Sequence, residues 1–274
     1  MTSRTERMRK LLFDAGVAAN IIEGRDDYAK FVILGRGRTG SNFLRTSLAS
    51  HNNIVVFAEL FNAASRREGR LLWGGLPGYR SRNRGLLSLR ESDPRRFLDE
   101  AVFARMPGKV RAVGFKLFYY HARGDWSCVW PHLRSLDIRA IHLRRRNLLS
   151  VQVSGILAAQ SGAWMTTSSK RAQPRQPVVL DYDGCLRFFE RTRAFEAEYG
   201  AYFEHTLDLF YEDLVADYEG QTRIVQEFLE VPWQPLSSPL KKQISLPLHE
   251  TISNYDELKG RFAGSEWESF FDAP

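Results

Sequence analysis

The sequence predicts an α/β protein in three layers, with a parallel central sheet covered on both faces by helices. Three observations carry this. Short apolar, β-branched runs alternate with amphipathic stretches along most of the chain. Those runs are continuously apolar, as strands buried on both faces are, and do not alternate like half-exposed ones. The first of them, Phe31-Val32-Ile33-Leu34, ends in a glycine-rich turn that opens directly into a helix.

Taken in order, Met8, Leu11, Leu12, Ala15, Ala18 and Ile22 recur at helical spacing and predict an amphipathic opening helix over 8–22. Phe31–Leu34 is the first strand. Ser41–Ser50 follows as a helix with Phe43, Leu44 and Leu48 on one side, and Ile54–Phe57 is a second strand. Val110–Tyr119 and Ile138–Leu143 are two more strands, the latter leading into a helix from Asn147. Cys185, Phe189, Thr192, Phe195 and Tyr199 mark a helix over Tyr182–Tyr199; Leu207–Tyr211 is a final strand and Asp217–Leu229 a final long helix. Two stretches break the alternation. Ser65–Arg96 is rich in arginine and glycine, and Gly162–Val178 is polar with Pro174 and Pro177. Both are expected to be loops or insertions near a binding face. No repeat or linker interrupts the pattern, so one domain is expected over 1–274, with its core at 28–271 and an N-terminal helical segment at 1–27.

Composition narrows the function classes. At 274 residues, with 43% hydrophobic and 26% charged side chains, the chain can bury a substantial core and is not of disordered composition. A formal net charge of +7 and a pI near 9.5 predict an anionic ligand. The two cysteines, Cys128 and Cys185, have no metal-ligand spacing; the expectation is no metal, no disulfide framework and a cytoplasmic location. Asp14 interrupts the short apolar Leu11-Leu12-Phe13, a poor signal peptide, and no run approaches transmembrane length, so a soluble protein is expected.

The sharpest local signal is Gly35-Arg36-Gly37-Arg38-Thr39-Gly40-Ser41-Asn42. A strand–loop–helix turn aims backbone N–H groups and the positive end of a helix dipole at one place, which makes an anion site. Gly35 and Gly40 have the separation of the Walker A glycines, but Ser41 and Asn42 stand where a triphosphate hydrolase needs Lys and then Ser or Thr. No strand ends in the Asp of a Walker B site either. A phosphate fits this loop; the apparatus for metal–triphosphate chemistry does not follow from it.

Residues 31–43 resemble the 5′-phosphosulfate loop of sulfotransferases that use 3′-phosphoadenosine-5′-phosphosulfate (PAPS). The resemblance implies that Arg36, Gly37, Arg38, Thr39, Gly40, Ser41 and Asn42 surround the 5′-phosphosulfate, with Arg38 in the place of the basic residue that touches the transferring group, and that Phe43 packs on adenine. In Ile141-His142-Leu143-Arg144-Arg145-Arg146-Asn147, Arg146 and Ser154 have the spacing at which the family reads the 3′-phosphate, with Arg144 and Arg145 as substitutes if the register differs. Leu209-Phe210-Tyr211-Glu212-Asp213-Leu214 is similar to a later strand–turn–helix of the family, placing Tyr211 near the nucleotide; Tyr211 could equally end a core strand and Asp213 cap a helix. The segments 252–258 and 264–271 look like the tail of bacterial carbohydrate sulfotransferases, the trehalose, lipopolysaccharide and nodulation-factor types. The resemblance implies the P-loop nucleoside-triphosphate-hydrolase-like sulfotransferase fold and a saccharide or glycolipid acceptor, with peripheral membrane contact through the acceptor.

Sulfuryl transfer requires a base for the acceptor hydroxyl and positive charge at the departing phosphate oxygen. Arg38 and Lys116 are the candidates for charge. Lys116 lies in the apolar Val113-Gly114-Phe115-Lys116-Leu117, where an ammonium needs an anionic partner, a bound anion being expected before a neighbouring carboxylate. Glu59, after the second strand, is the candidate base, its pKa expected to be raised by apolar neighbours; the trehalose-type enzymes are similar in having a Glu at the matching position. His121 competes with it. Two other classes remain open: a P-loop small-molecule kinase, and a basic nucleic-acid-binding protein, for which no recognition module is present, so no nucleic-acid partner is expected.

Overall fold

A computed structural model describes residues 4–18, 24–74, 81–161, 177–240 and 247–272. The described chain runs α1 (Arg4–Ala18), β1 (Gly24–Arg25), β2 (Ala29–Gly35), α2 (Ser41–Leu48), β3 (Ile54–Phe57), α3 (Ala63–Arg67), α4 (Arg84–Ser92), α5 (Pro94–Phe97), β4 (Met106–Pro107), β5 (Ala112–Phe118) and α6 (Val129–Ser135). It continues through β6 (Arg139–Arg144), α7 (Leu148–Ser161), α8 (Tyr182–Gly200), β7 (His205–Phe210), α9 (Tyr211–Ala216), α10 (Tyr218–Phe228), α11 (Leu248–Thr251) and α12 (Tyr255–Phe262).

Five strands form one parallel sheet in the order β3-β5-β2-β6-β7. Alternation along each strand sorts its apolar side chains into two layers. Val32, Leu34, Val113, Phe115 and Ala140 face a core completed by Phe97, Val129 and Leu133 from α5 and α6. Phe31, Ile33, Ile141, Leu143 and Leu209 face the opposite core, completed by Leu44 and Leu48 of α2, Leu214 of α9 and Val225 of α10. This is the expected three-layer arrangement. A satellite core joins α7, α8 and α12 to Trp267, Phe270 and Phe271.

Most of the predicted elements stand within a few residues of their expected limits; β7 ends at Phe210, and Tyr211 opens α9. Two expectations need correction. The opening helix is present to Ala18, with 19–23 outside the described residues, but Met8, Leu11 and Leu12 of its apolar face are 53%, 57% and 63% exposed. The segment 65–96, expected as a loop or insertion, is largely helical where it is described: it contributes to α3, α4 and α5, and Arg90 is fully buried. Its Nη1 donates to the Leu60 carbonyl (2.8 Å) and to Ser65 Oγ (3.0 Å), Glu91 accepts from its other side, and the guanidinium lies 4.8 Å from the Trp126 ring centre. Full hydrogen bonding and a charge partner are what allow an arginine to be buried. The predicted loop at 162–178 lies outside the described residues up to 176; Val178 bridges Ile252.

Candidate active site

Gly35 is in register with Phe118 on one side and Leu143 on the other, so the turns after β2, β5 and β6 leave the sheet together at its carboxyl edge. The phosphate loop is braced from within by Thr39 Oγ1 donating to the Arg36 carbonyl (2.8 Å). Arg38 adopts φ 73°, a left-handed conformation costly for a residue other than glycine, and its Nε donates to Ser154 Oγ of α7 (2.9 Å). Gly40 begins α2 with φ 87° and no side-chain cap; a Cβ there would lie 2.3 Å from the Tyr211 ring. Only glycine lets Tyr211 close on the loop, and the first N–H groups of α2 are left for an anion. Ser41 is buried at this helix start.

One chain of hydrogen bonds then crosses from the loop to the second strand. Lys116 Nζ, on β5, donates to Asn42 Oδ1 (2.6 Å) and to Glu59 Oε1 (2.8 Å). Asn62 Nδ2 donates to Glu59 Oε2 (2.6 Å), and His121 Nε2 lies 3.8 Å from the same oxygen. Lys116 is therefore paired with a neighbouring carboxylate, contrary to expectation: β3 and β5 are adjacent, which carries the end of β3 to Lys116. Glu59 also departs from expectation. Burial pushes its carboxyl up, but Lys116, His121 and the two hydrogen bonds outweigh this and hold it below the ordinary carboxylate value. Burial lowers Lys116, with Glu59 opposing. His121 is pushed by burial to about 4. Its Nδ1 accepts the Phe118 N–H (3.2 Å), which puts the neutral ring's proton on Nε2, the nitrogen nearest Glu59. That nitrogen is a donor and is poorly placed to accept an acceptor's proton.

The arginines of the expected second anion site run on from the end of β6, and the pleat sorts them to two sides. Arg144 and Arg146 both lie against Phe210 (4.6 and 4.2 Å to the ring centre), while Arg145 lies over Tyr211 (5.1 Å), on the side of the phosphate loop. Arg144 pairs with Asp208 (2.9 Å). Arg146 grips Asp213 with both Nη atoms at 2.7 Å, so Asp213 serves as its partner, and the following helix α10 is capped by Asp217 instead. Arg145 Nε is buried without a hydrogen-bond partner. Arg146 and Ser154 are thus engaged with different partners, yet Ser154 reaches Arg38 and Tyr211 reaches Gly40, so both proposed pockets adjoin one loop. The C-terminal segment arrives here as well: Asn147 Nδ2 donates to the Phe270 carbonyl (2.9 Å).

The remaining candidates are placed as follows. Phe43 is partly buried against Tyr218 (5.4 Å between ring centres). Arg36 lays its guanidinium on Phe188 (4.1 Å). Gly37 donates its N–H to the Tyr120 hydroxyl (3.2 Å). Sequence reasoning did not find Asn62, Tyr120 or Asp213 as partners. Asn62 carried a signal, since it is spaced as the N-cap of α3, which it is. Tyr120 carried none.

No protein-family model matches the chain. Nodulation protein H of Rhizobium meliloti strain 1021 is 28% identical over 255 residues, 88% of this chain and 94% of that protein. Nodulation protein H of Rhizobium tropici is 29% identical over 254 residues, 88% of this chain and 92% of that protein. The chain is thus similar to these nodulation proteins along nearly their whole length. Among solved structures, the sulfotransferase from Alicyclobacillus acidocaldarius is similar at 16% identity and a TM-score of 0.49, over 90% of this chain and 96% of that one. The sulfotransferase domain of the Synechococcus PCC 7002 olefin synthase is similar at 17% identity and a TM-score of 0.44, over 92% and 90%.

Proposed function

We propose that this protein is a sulfotransferase that takes its sulfuryl group from PAPS and passes it to a hydroxyl of a carbohydrate or glycolipid, in the cytoplasm. The observation that carries the reading is the hydrogen-bonded chain Asn42–Lys116–Glu59, which joins the phosphate loop, a buried ammonium and a carboxylate. The residues fit the donor: Arg38 to Asn42 offer backbone N–H groups and small polar side chains to the 5′-phosphosulfate, while Gly37 turns its own N–H to Tyr120. Arg146 and Ser154 take the 3′-phosphate. A bidentate carboxylate holds a guanidinium in the fork geometry that also suits phosphate, and both Arg146 and Asp213 are half exposed, so exchanging one anion for the other costs little.

In the reaction, Lys116 moves its ammonium from Glu59 toward the transferring group and, with Arg38, stabilises charge on the departing phosphate oxygen. Glu59, relieved of that ammonium, becomes more basic and accepts the acceptor's proton. The acceptor oxygen bonds sulfur as the bond from sulfur to the 5′-phosphate oxygen breaks, and adenosine 3′,5′-bisphosphate retains the electron pair. Asn62 keeps Glu59 oriented throughout. Incubation with radiolabelled PAPS and a panel of saccharides and glycolipids tests this: label is expected in a saccharide-bearing product, and no transfer to any member overturns it.

A further inference from the structure

Tyr120 is an exposed aromatic beside His121, which itself neighbours the proposed base. It is 43% exposed, yet its hydroxyl accepts the Gly37 N–H (3.2 Å), and a Cβ on Gly37 would come within 2.8 Å of that oxygen. Its ring stands edge-on to His121 (5.2 Å between centres) and 5.7 Å from Phe118, whose centre is 5.3 Å from Lys116 Nζ. His121 in turn neighbours Glu59. Beyond Tyr120 the Arg36 guanidinium sits 5.9 Å from its ring centre and lies on Phe188.

Phe118, Tyr120, Arg36 and Phe188 thus make a strip of flat groups running outward from the Lys116–Glu59 pair. A pyranose presents a face of C–H bonds and a rim of hydroxyls. Such a ring lies favourably on an aromatic face while its rim meets charged and polar groups. We propose that Tyr120 is the acceptor platform, stacking the sugar ring next to the one being sulfated, with Arg36 hydrogen-bonding its hydroxyl rim. The Gly37 N–H fixes the phenol oxygen, which holds the ring at a set angle and leaves the phenolic proton for an acceptor oxygen. Burial raises Tyr120 above the ordinary phenol value, so that proton is retained at neutral pH. The inference rests on the saccharide reading of the acceptor and adds where the ring sits.

The test compares wild type, Tyr120→Ala and Tyr120→Phe, with PAPS as donor and the panel saccharide that wild type sulfates fastest as acceptor. Affinity for adenosine 3′,5′-bisphosphate is measured in parallel by calorimetry. Tyr120→Ala is expected to raise the acceptor KM about tenfold, equivalent to about 1.4 kcal/mol, with kcat changed less and bisphosphate affinity within about twofold. Tyr120→Phe, which keeps the ring, should recover most of the KM. An unchanged KM in Tyr120→Ala overturns the inference while leaving the saccharide reading intact. So does equal loss of bisphosphate affinity in both variants, which would make Tyr120 a brace of the loop alone. A wild type that labels only non-saccharide acceptors removes the reading and the inference together.

Discussion

Glu59 serves two functions that pull against each other: it neutralises the buried Lys116, and it is the proposed base. Glu59→Gln is therefore expected to lower kcat by about 10²–10⁴-fold through loss of proton transfer, with bisphosphate affinity nearly unchanged. It should also lower the melting temperature of the free protein, because Lys116 loses its carboxylate while staying buried. Near-normal turnover in Glu59→Gln would transfer the base to His121. In the free protein Glu59 titrates below the ordinary carboxylate value, so it stays ionised as pH falls through that value and protonates only further down. The acid limb of kcat/KM should accordingly lie below the usual carboxylate range. Gly40 sets a second constraint at this scale. Gly40→Ala forces a side chain into a left-handed position against the Tyr211 ring and is expected to cost about 1–3 kcal/mol. Loss of bisphosphate binding should exceed the loss of stability, since the clash falls on the anion-binding turn.

On the proposed reading, donor affinity is set at the turn from β6 into α7, faced by α9. Arg146 and Asp213 pull in opposite directions if Arg146 takes the 3′-phosphate. Arg146→Ala should weaken bisphosphate binding by about 1.5–3 kcal/mol, the usual value of a hydrogen bond to a charged group. Asp213→Asn removes the competing carboxylate and should bind as tightly as wild type or more tightly. Calorimetry on the pair checks this; weakened binding in Arg145→Ala but not in Arg146→Ala would move the role to Arg145, which already lies on the loop side over Tyr211. A different element, α4, shows how an arginine-rich run can be structural. Arg90 holds the carbonyl of Leu60, the residue after Glu59, from a fully buried position. Arg90 fixes the course of the backbone that carries the proposed base.

Over the whole molecule, buried neutral histidines couple the fold to pH. His121 and His142 are both pushed by burial to about 4, below the 6.5 of an exposed ring. Between those values the unfolded chain binds more protons than the folded one, so stability falls as pH drops from about 6.5 toward 4. Urea midpoints at pH 7.5 and pH 5 should differ accordingly, and the difference should shrink in His142→Asn. A flat profile would mean these rings are not neutral in the fold. His142 is held between Tyr119 (2.6 Å) and Asp208 (2.9 Å), which ties β5, β6 and β7 together.

Sequence alone determined the layered α/β architecture, because apolar runs buried on both faces leave a pattern that only a covered parallel sheet satisfies. It marked the glycine-rich turn between β2 and α2 too, since glycines at that separation between an apolar run and a helical one signal a tight strand-to-helix turn. It also delivered Glu59, Lys116, Arg38 and Ser154 as separate candidates. Only the tertiary structure decided how they pair. Lys116 meets Glu59 because β3 and β5 are neighbours, and Ser154 meets Arg38 because β2 and β6 are. The pairing with Lys116 also reversed the direction of the Glu59 shift. Charge and hydrogen bonding act across a few ångströms of space, and the residues involved lie 57 to 116 positions apart along the chain for the first two pairs. Strand order, which brings them within reach, is written in no local pattern.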